Sequence, residues 1–188
     1  MKNLAIGKLL EFLAHLSPIS EGFIAELSEK VVVETFVKNT EIAPKVISKR
    51  SVYFVASGLI KGNYFNQQGR EIVTGFWWEK MFVIAKQNSI HESEHLLFVE
   101  DTTLISISSF DVERLVKQFC EARRLAQSIY LIERRRLRER GDILVLPANE
   151  AYSIFKERFP AARIKLRDIA NFLGIMPYTL SRIRNMRE

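Results

Sequence analysis

Thr179, Ser181, Arg182 and Arg184 lie close together near the end of this 188-residue chain, with Tyr178 just before them and Lys165 and Arg167 a little upstream. Hydroxyl and guanidinium groups in such a cluster suit hydrogen bonding to phosphate oxygens and to the edges of bases. Lys165, Arg167 and Arg184 carry the charge for phosphate contacts, which supply affinity and register but no sequence information. A second chemically able group is His91, Glu92, Glu94 and His95. In a cupin-like β-domain these residues would make a metal site, and the protein an enzyme or a metal sensor. No third histidine lies nearby, because His15 falls in an N-terminal helical segment, so a solvated charged loop is the preferred reading. No nucleophile elbow, phosphate-binding P-loop or paired-cysteine redox motif is present, and catalysis is not expected.

The polar cluster needs a scaffold, and the surrounding apolar residues have the spacing of one. Ile169, Ala170, Leu173, Gly174, Ile175, Leu180 and Ile183 match the packing positions of a helix-turn-helix. Small Ala170 fits where two helices cross closely, and Gly174 fits the turn, where a positive φ is cheap without a Cβ. Leu180 and Ile183 anchor the second helix against Ile169 and Leu173, leaving Thr179, Ser181, Arg182 and Arg184 on its exposed side. An ordinary αα-hairpin uses the same apolar spacing, but it gives no reason for that basic, hydroxyl-rich exposed side.

Charge supports the same partner. The net charge of +6 is uneven: residues 1–120 hold 13 Lys/Arg against 14 Asp/Glu, and residues 121–188 hold 15 against 8. Positive charge therefore gathers in the segment bearing the motif, as counterion release from a phosphate backbone favours. A hydrophobic content of 47% with 11% aromatics fits a folded chain. No apolar run reaches the length of a membrane span and Met1-Lys2-Asn3 leads into no signal peptide, so no membrane partner and a cytoplasmic location are expected. Cys120 is alone, which excludes a disulfide framework and a cysteine-ligated iron–sulfur cluster, and it is expected to pack as a small apolar side chain on a helix.

The remainder divides by periodicity. Residues 4–16 predict an amphipathic helix with Leu9, Leu10, Leu13 and Leu16 on its apolar side, and Ser20-Glu21 caps a second helix to about Glu29. Strands follow over 31–37, 51–55, 59–65, 71–78, 96–99 and 103–107, with turns at Ser57-Gly58 and at Asn66-Gln-Gln-Gly69. Ser109 or Asp111 then caps a helix to about Arg140, ended by Gly141. Val112, Leu115, Phe119, Ala122, Ala126 and Ile129 form a seam along it. Packing on the β-domain and pairing with a second subunit both explain the seam. The length, roughly 45 Å at 1.5 Å per residue, favours dimerisation. Residues 141–147 make a hinge, Asn149 caps a helix to about Phe159, and Pro160 turns the chain into the helix-turn-helix. The expected class is α+β, with residues 1–108 an antiparallel β-roll sensor domain, 109–140 a dimerisation helix and 141–188 a helical DNA-binding domain.

This order resembles the Crp/Fnr family of bacterial transcription regulators over nearly the whole chain. The resemblance rests on Val52-Tyr-Phe-Val-Ala-Ser-Gly-Leu-Ile-Lys-Gly-Asn-Tyr-Phe-Asn-Gln-Gln-Gly-Arg-Glu-Ile72, similar to the family's central strand–Gly–strand–turn–strand segment. It rests equally on Asp168-Ile-Ala-Asn-Phe-Leu-Gly-Ile-Met-Pro-Tyr-Thr-Leu-Ser-Arg-Ile-Arg184. It implies a double-stranded β-roll like that of cyclic nucleotide-binding domains, a homodimer reading a two-fold symmetric site on double-stranded DNA, and RNA polymerase as a further partner. The family's usual Arg-Glu before the recognition-helix Thr is Pro177-Tyr178 here. Pro177 starts a helix well. Tyr178 cannot accept a hydrogen bond from cytosine, though its ring can touch a thymine methyl. Ser181-Arg182 matches the family, which implies a bidentate guanine contact by Arg182, and Thr179 matches a backbone-contacting position.

Family members that bind cyclic AMP hold it with a Gly-Glu step and an Arg-Ser/Thr-Ala step. Those steps fall here at Ile84-Ala85 and Ser93-Glu94-His95, where the carboxylate, guanidinium and glycine are missing. The resemblance therefore does not carry cyclic nucleotide control with it, no cofactor is expected, and any effector is unknown. Phe76, Trp77, Trp78, Met81 and Phe82 are either plain core or the lining of an apolar effector pocket. The residues assigned to that pocket are Phe76, Trp78, Phe82, Ile84 and Ala85. A further reading makes the roll a small-ligand or protein-interaction module with a weak DNA domain.

Overall fold

The computed structural model describes residues 2–43, 52–84 and 94–186. Helix α1 (Lys2–Leu16) presents Ala5, Leu9 and Leu13 to the core, and α2 (Glu21–Lys30) is capped by Ser20, whose hydroxyl accepts from the Phe23 amide. Among the described residues eight strands follow: β1 (Val32–Phe36), β2 (Glu41–Ile42), β3 (Val52–Ser57), β4 (Leu59–Phe65), β5 (Glu71–Trp78), β6 (Phe82–Ile84), β7 (His95–Phe98) and β8 (Thr102–Ile107). They form two four-stranded antiparallel sheets, ordered β1-β8-β3-β6 and β2-β7-β4-β5. The fold is mixed α+β, with the roll first and the helical C-terminal part after it.

Period-two alternation gives each sheet two apolar faces. Tyr53, Val55, Ile60, Leu96, Phe98 and Leu104 point inward and fill the space between the sheets. The outer face of the first sheet, with Phe54, Ala56, Phe82, Ile105 and Ile107, lies under α1, α2 and the helices that follow β8. The outer face of the second sheet carries Leu59, Val73 and Phe76, and it is covered by the C-terminal helices.

The single helix expected from 109 to 140 is two. Ser108, not Ser109 or Asp111, caps α3 (Ser109–Gln118), accepting from the Asp111 amide. Phe119 is extended (φ −122°, ψ 125°), and α4 runs from Cys120 to Leu144. The break follows from packing: the Phe119 ring meets Phe23 edge-on at 5.6 Å. The Glu121 carboxylate accepts from the Ser20 hydroxyl at 2.6 Å, which ties the start of α4 to α2. Cys120 is exposed rather than packed, its thiol directed to Glu121. Gly141 does not end the helix, since an exposed glycine inside a helix costs only about 1 kcal/mol. Pro147 stands at the next helix start in place of Asn149, before α5 (Ala148–Arg158). The seam residues Val112, Leu115, Phe119, Ala122 and Ile129 pack against the first sheet's outer core, so packing on the β-domain accounts for them.

Candidate nucleic-acid interface

A 3-10 turn (Ala161–Arg163) leads into α6 (Leu166–Phe172) and α7 (Pro177–Asn185). The turn between these helices closes in the Schellman manner. Gly174 (φ +69°) donates to Asn171 O at 3.1 Å, and Ile175 donates to Ala170 O at 3.0 Å. Ala170 and Leu180 are wholly buried, Ile169 and Leu173 nearly so, and Ile175 and Ile183 pack against the same core. Pro177 occupies the first turn of α7, where its missing N–H costs nothing.

This scaffold turns Tyr178, Thr179, Arg182 and Arg184 outward, with Ser181 half-buried beside them. Lys165 and Arg167, at and just after the start of α6, are exposed as well. The Arg182 guanidinium lies 5.8 Å from the Tyr178 ring centre, one helical turn apart, a cation–π contact that holds the guanidinium at the helix surface. The seven residues singled out in the sequence thus belong to one module, five on α7, Arg167 on α6 and Lys165 at its N-cap.

What sequence reasoning missed is how this module joins the roll. Phe76 of β5 meets Phe155 of α5 and Phe172 of α6, while Trp78 packs on Phe159. Buried in the same junction, Lys61 of β4 pairs with Glu71 at 2.7 Å and with Asp168 of α6 at 3.0 Å. Arg163 forks onto two carboxylates, Glu79 through Nη1 and Nη2 and Glu100 through Nε and Nη2. Burial alone would raise the Glu79 carboxyl. The Arg163 hydrogen bonds, the local backbone amides and the Arg163 charge outweigh it and bring the pKa to about 2, while the two carboxylates raise that of Arg163.

Strand β5 is an edge strand, and its free backbone groups are taken by side chains. Arg136 donates to Phe76 O, Arg140 donates to Val73 O, and Asn171 of α6 both accepts from the Val73 amide and donates to Glu71 O. Burial depresses the Arg140 pKa, against the opposing pull of Tyr64 and Glu94. Lysine in a strand and asparagine on a helix are ordinary surface residues by pattern, so nothing in the sequence marked Lys61 or Asn171.

The described residues assigned to an effector pocket divide between two cavities: Phe76 and Trp78 border one of about 140 Å³ at the C-terminal helices, and Phe82 and Ile84 border another beneath α1. Phe76 and Trp78 lie in the core shared with the C-terminal helices. Phe82 packs at a tilt on Phe12 and Phe54 beneath α1, and with Ile84 it borders a cavity of about 160 Å³ there, beside Leu9, Phe23 and Leu125. Ala85 lies outside the described residues, as do His91 and Glu92. Trp77 faces into the roll, its ring so close to Gly62 and Gly75 that a Cβ on either would fall within 3.0 Å of it. Glu94 accepts from the Thr74 hydroxyl and His95 Nδ1 lies 2.9 Å from Glu41, so both are engaged with their own sheet.

No family model matches the chain, and no curated protein matches it in sequence. Solved structures do resemble it. A putative transcriptional regulator of the crp/fnr family from Eubacterium rectale is 16% identical with a TM-score of 0.68, over 90% of this chain and 84% of its own. FixK2 from Bradyrhizobium japonicum is 16% identical with a TM-score of 0.67, over 83% of each chain. A cyclic nucleotide-binding domain containing protein from Listeria monocytogenes is 12% identical with a TM-score of 0.68, over 95% of this chain and 89% of its own. The chain therefore shares the overall fold of these solved structures, one of which is the putative regulator of the crp/fnr family.

Proposed function

We propose that the protein is a sequence-specific DNA-binding transcription regulator of the Crp/Fnr type, acting as a cytoplasmic homodimer on a two-fold symmetric site and performing no catalysis. The observation that carries this reading is α7 itself: an apolar side sunk in the core and an outward side bearing Tyr178, Thr179, Arg182 and Arg184. The working division is residues 1–108 as sensor, 109–140 as the dimerising segment within helices that run on to Leu144, and 141–188 as DNA reader. In this division Arg182 reads guanine, Ser181, Tyr178 and Thr179 contact neighbouring groups, and Lys165, Arg167 and Arg184 hold phosphates. Dimerisation is supported by a different set from the sequence seam. Tyr130, Leu137 and Leu144 recur every seventh residue on α4 and are 56%, 53% and 40% exposed. RNA polymerase and an effector are further partners of the proposed regulator.

Binding to random-sequence duplex DNA across a salt series tests the reading. The protein binds, and log affinity falls steeply and linearly with log salt, with a slope near −0.9 per phosphate neutralised. Absence of binding at low salt overturns the proposal in favour of an interaction module. On a selected site, Arg182→Ala loses about 1–3 kcal/mol of discrimination while non-specific affinity changes little. An equal loss on both kinds of DNA makes Arg182 a phosphate contact.

A further inference from the structure

We infer that Lys61, a residue of the roll remote from the exposed face of α7, is a positioning residue for DNA reading, because it sets the angle at which the recognition helix is held. The inference rests on the DNA-binding function proposed above. Lys61 is 4% exposed and its ammonium joins three elements: β4, which carries it, β5 through Glu71, and α6 through Asp168. An ammonium buried this deeply carries a large desolvation cost, and a well-packed apolar group in its place is often no less stable. What the charged arrangement adds is direction, since both carboxylates must approach one nitrogen. Three residues along α6, Asn171 repeats the grip with two directional bonds. Its amide sits on Val73 N and Glu71 O at 2.9 and 2.7 Å, in the manner of a neighbouring strand.

Helix α6 is thus held at two points on one side, and α7 is tied to α6 by the Schellman turn and by Leu180. Whatever orients α6 orients α7. The apolar contacts that remain, Phe76 with Phe155 and Phe172, keep α6 on the roll but fix little direction, so without these polar bonds the recognition helix can rock on that shared core. A two-fold site requires two recognition helices about 34 Å apart, so swing at the junction translates into tolerance of half-site separation. Lys61 is therefore a determinant of spacing, and Arg182 of base identity.

The test uses the full chain and a pool of random-sequence duplexes. The wild type enriches inverted repeats of one separation, favoured by more than about tenfold over any other. Lys61→Met spreads enrichment over two or more separations within about threefold of each other, while its non-specific affinity and salt slope stay within about twofold of wild type. Lys61→Arg, whose guanidinium can still reach both carboxylates, keeps the single separation. If Lys61→Met fails to fold, Asn171→Ala serves instead, because it removes the docking bonds without stranding a charge. Amide exchange at Val73 rises in either variant and reports the release independently of DNA. Folded variants that keep the wild-type separation overturn the positioning role alone. A wild type that enriches no DNA overturns the underlying function and the role with it.

Discussion

Phe155→Ala lowers the stability of the whole chain by about 3–5 kcal/mol, the cost of an aromatic-to-alanine cavity in a site that cannot collapse. Phe155 is wholly buried, stacks on Phe159 at 4.4 Å, and meets Phe172 at 5.6 Å and Phe76 at 6.1 Å. Those three rings come from different parts of the chain: Phe159 just past α5, Phe172 from the helix-turn-helix, and Phe76 from the roll. The cavity would therefore open at the point where the two parts share a core. A loss confined to the C-terminal helices would signal two separately stable units. The core shared by Phe76, Phe155 and Phe172 requires them to unfold together. Urea titration followed by far-ultraviolet dichroism and by tryptophan fluorescence checks this, because Trp78 lies on Phe159. Both probes should shift by the same amount and remain coincident. A dichroism change that leaves the fluorescence midpoint in place contradicts the shared core.

The strands of the roll were largely legible because their signal is local. β4 and β5 fall at residues 59–65 and 71–78 as alternation and the Asn66–Gly69 turn require. β2 and β6 escaped because two or three residues are too few for a period. The helix-turn-helix was legible because its packing positions are short-range and stereotyped. The break at Phe119 was not, since a phenylalanine at a seam position fits a continuous helix equally well. The contacts made there with α2, about a hundred residues earlier, accompany the break: Phe23 on Phe119 and Ser20 on Glu121. Lys61, Glu71, Asp168 and Asn171 are brought together by the placement of α6 on β5, a long-range event that leaves no spacing pattern.

Arg163→Met should lower the denaturation midpoint by the equivalent of about 1–2 kcal/mol at neutral pH, and it should also remove part of the chain's sensitivity to acid. The magnitude is reduced because the Arg163 and Glu79 side chains are 33% and 39% exposed, where water screens the pair. The direction with pH follows from Glu79. Its carboxyl is held at about 2 in the folded chain against an ordinary 4.5, so the folded state favours the ionised form. That contribution is fully present above about 4.5 and is lost as the pH falls toward 2. Glu121 titrates in the same window, held at about 2 chiefly by the Ser20 hydroxyl, so wild-type acid unfolding contains both. Subtracting the Arg163→Met curve from the wild-type curve cancels Glu121 and leaves the Glu79 clamp. The difference in stability should be largest above pH 5 and shrink steadily below it. A difference that stays constant down to pH 2 would mean that Arg163 contributes by packing its stem against the junction, and that its charge does not hold the C-terminal helices on the roll.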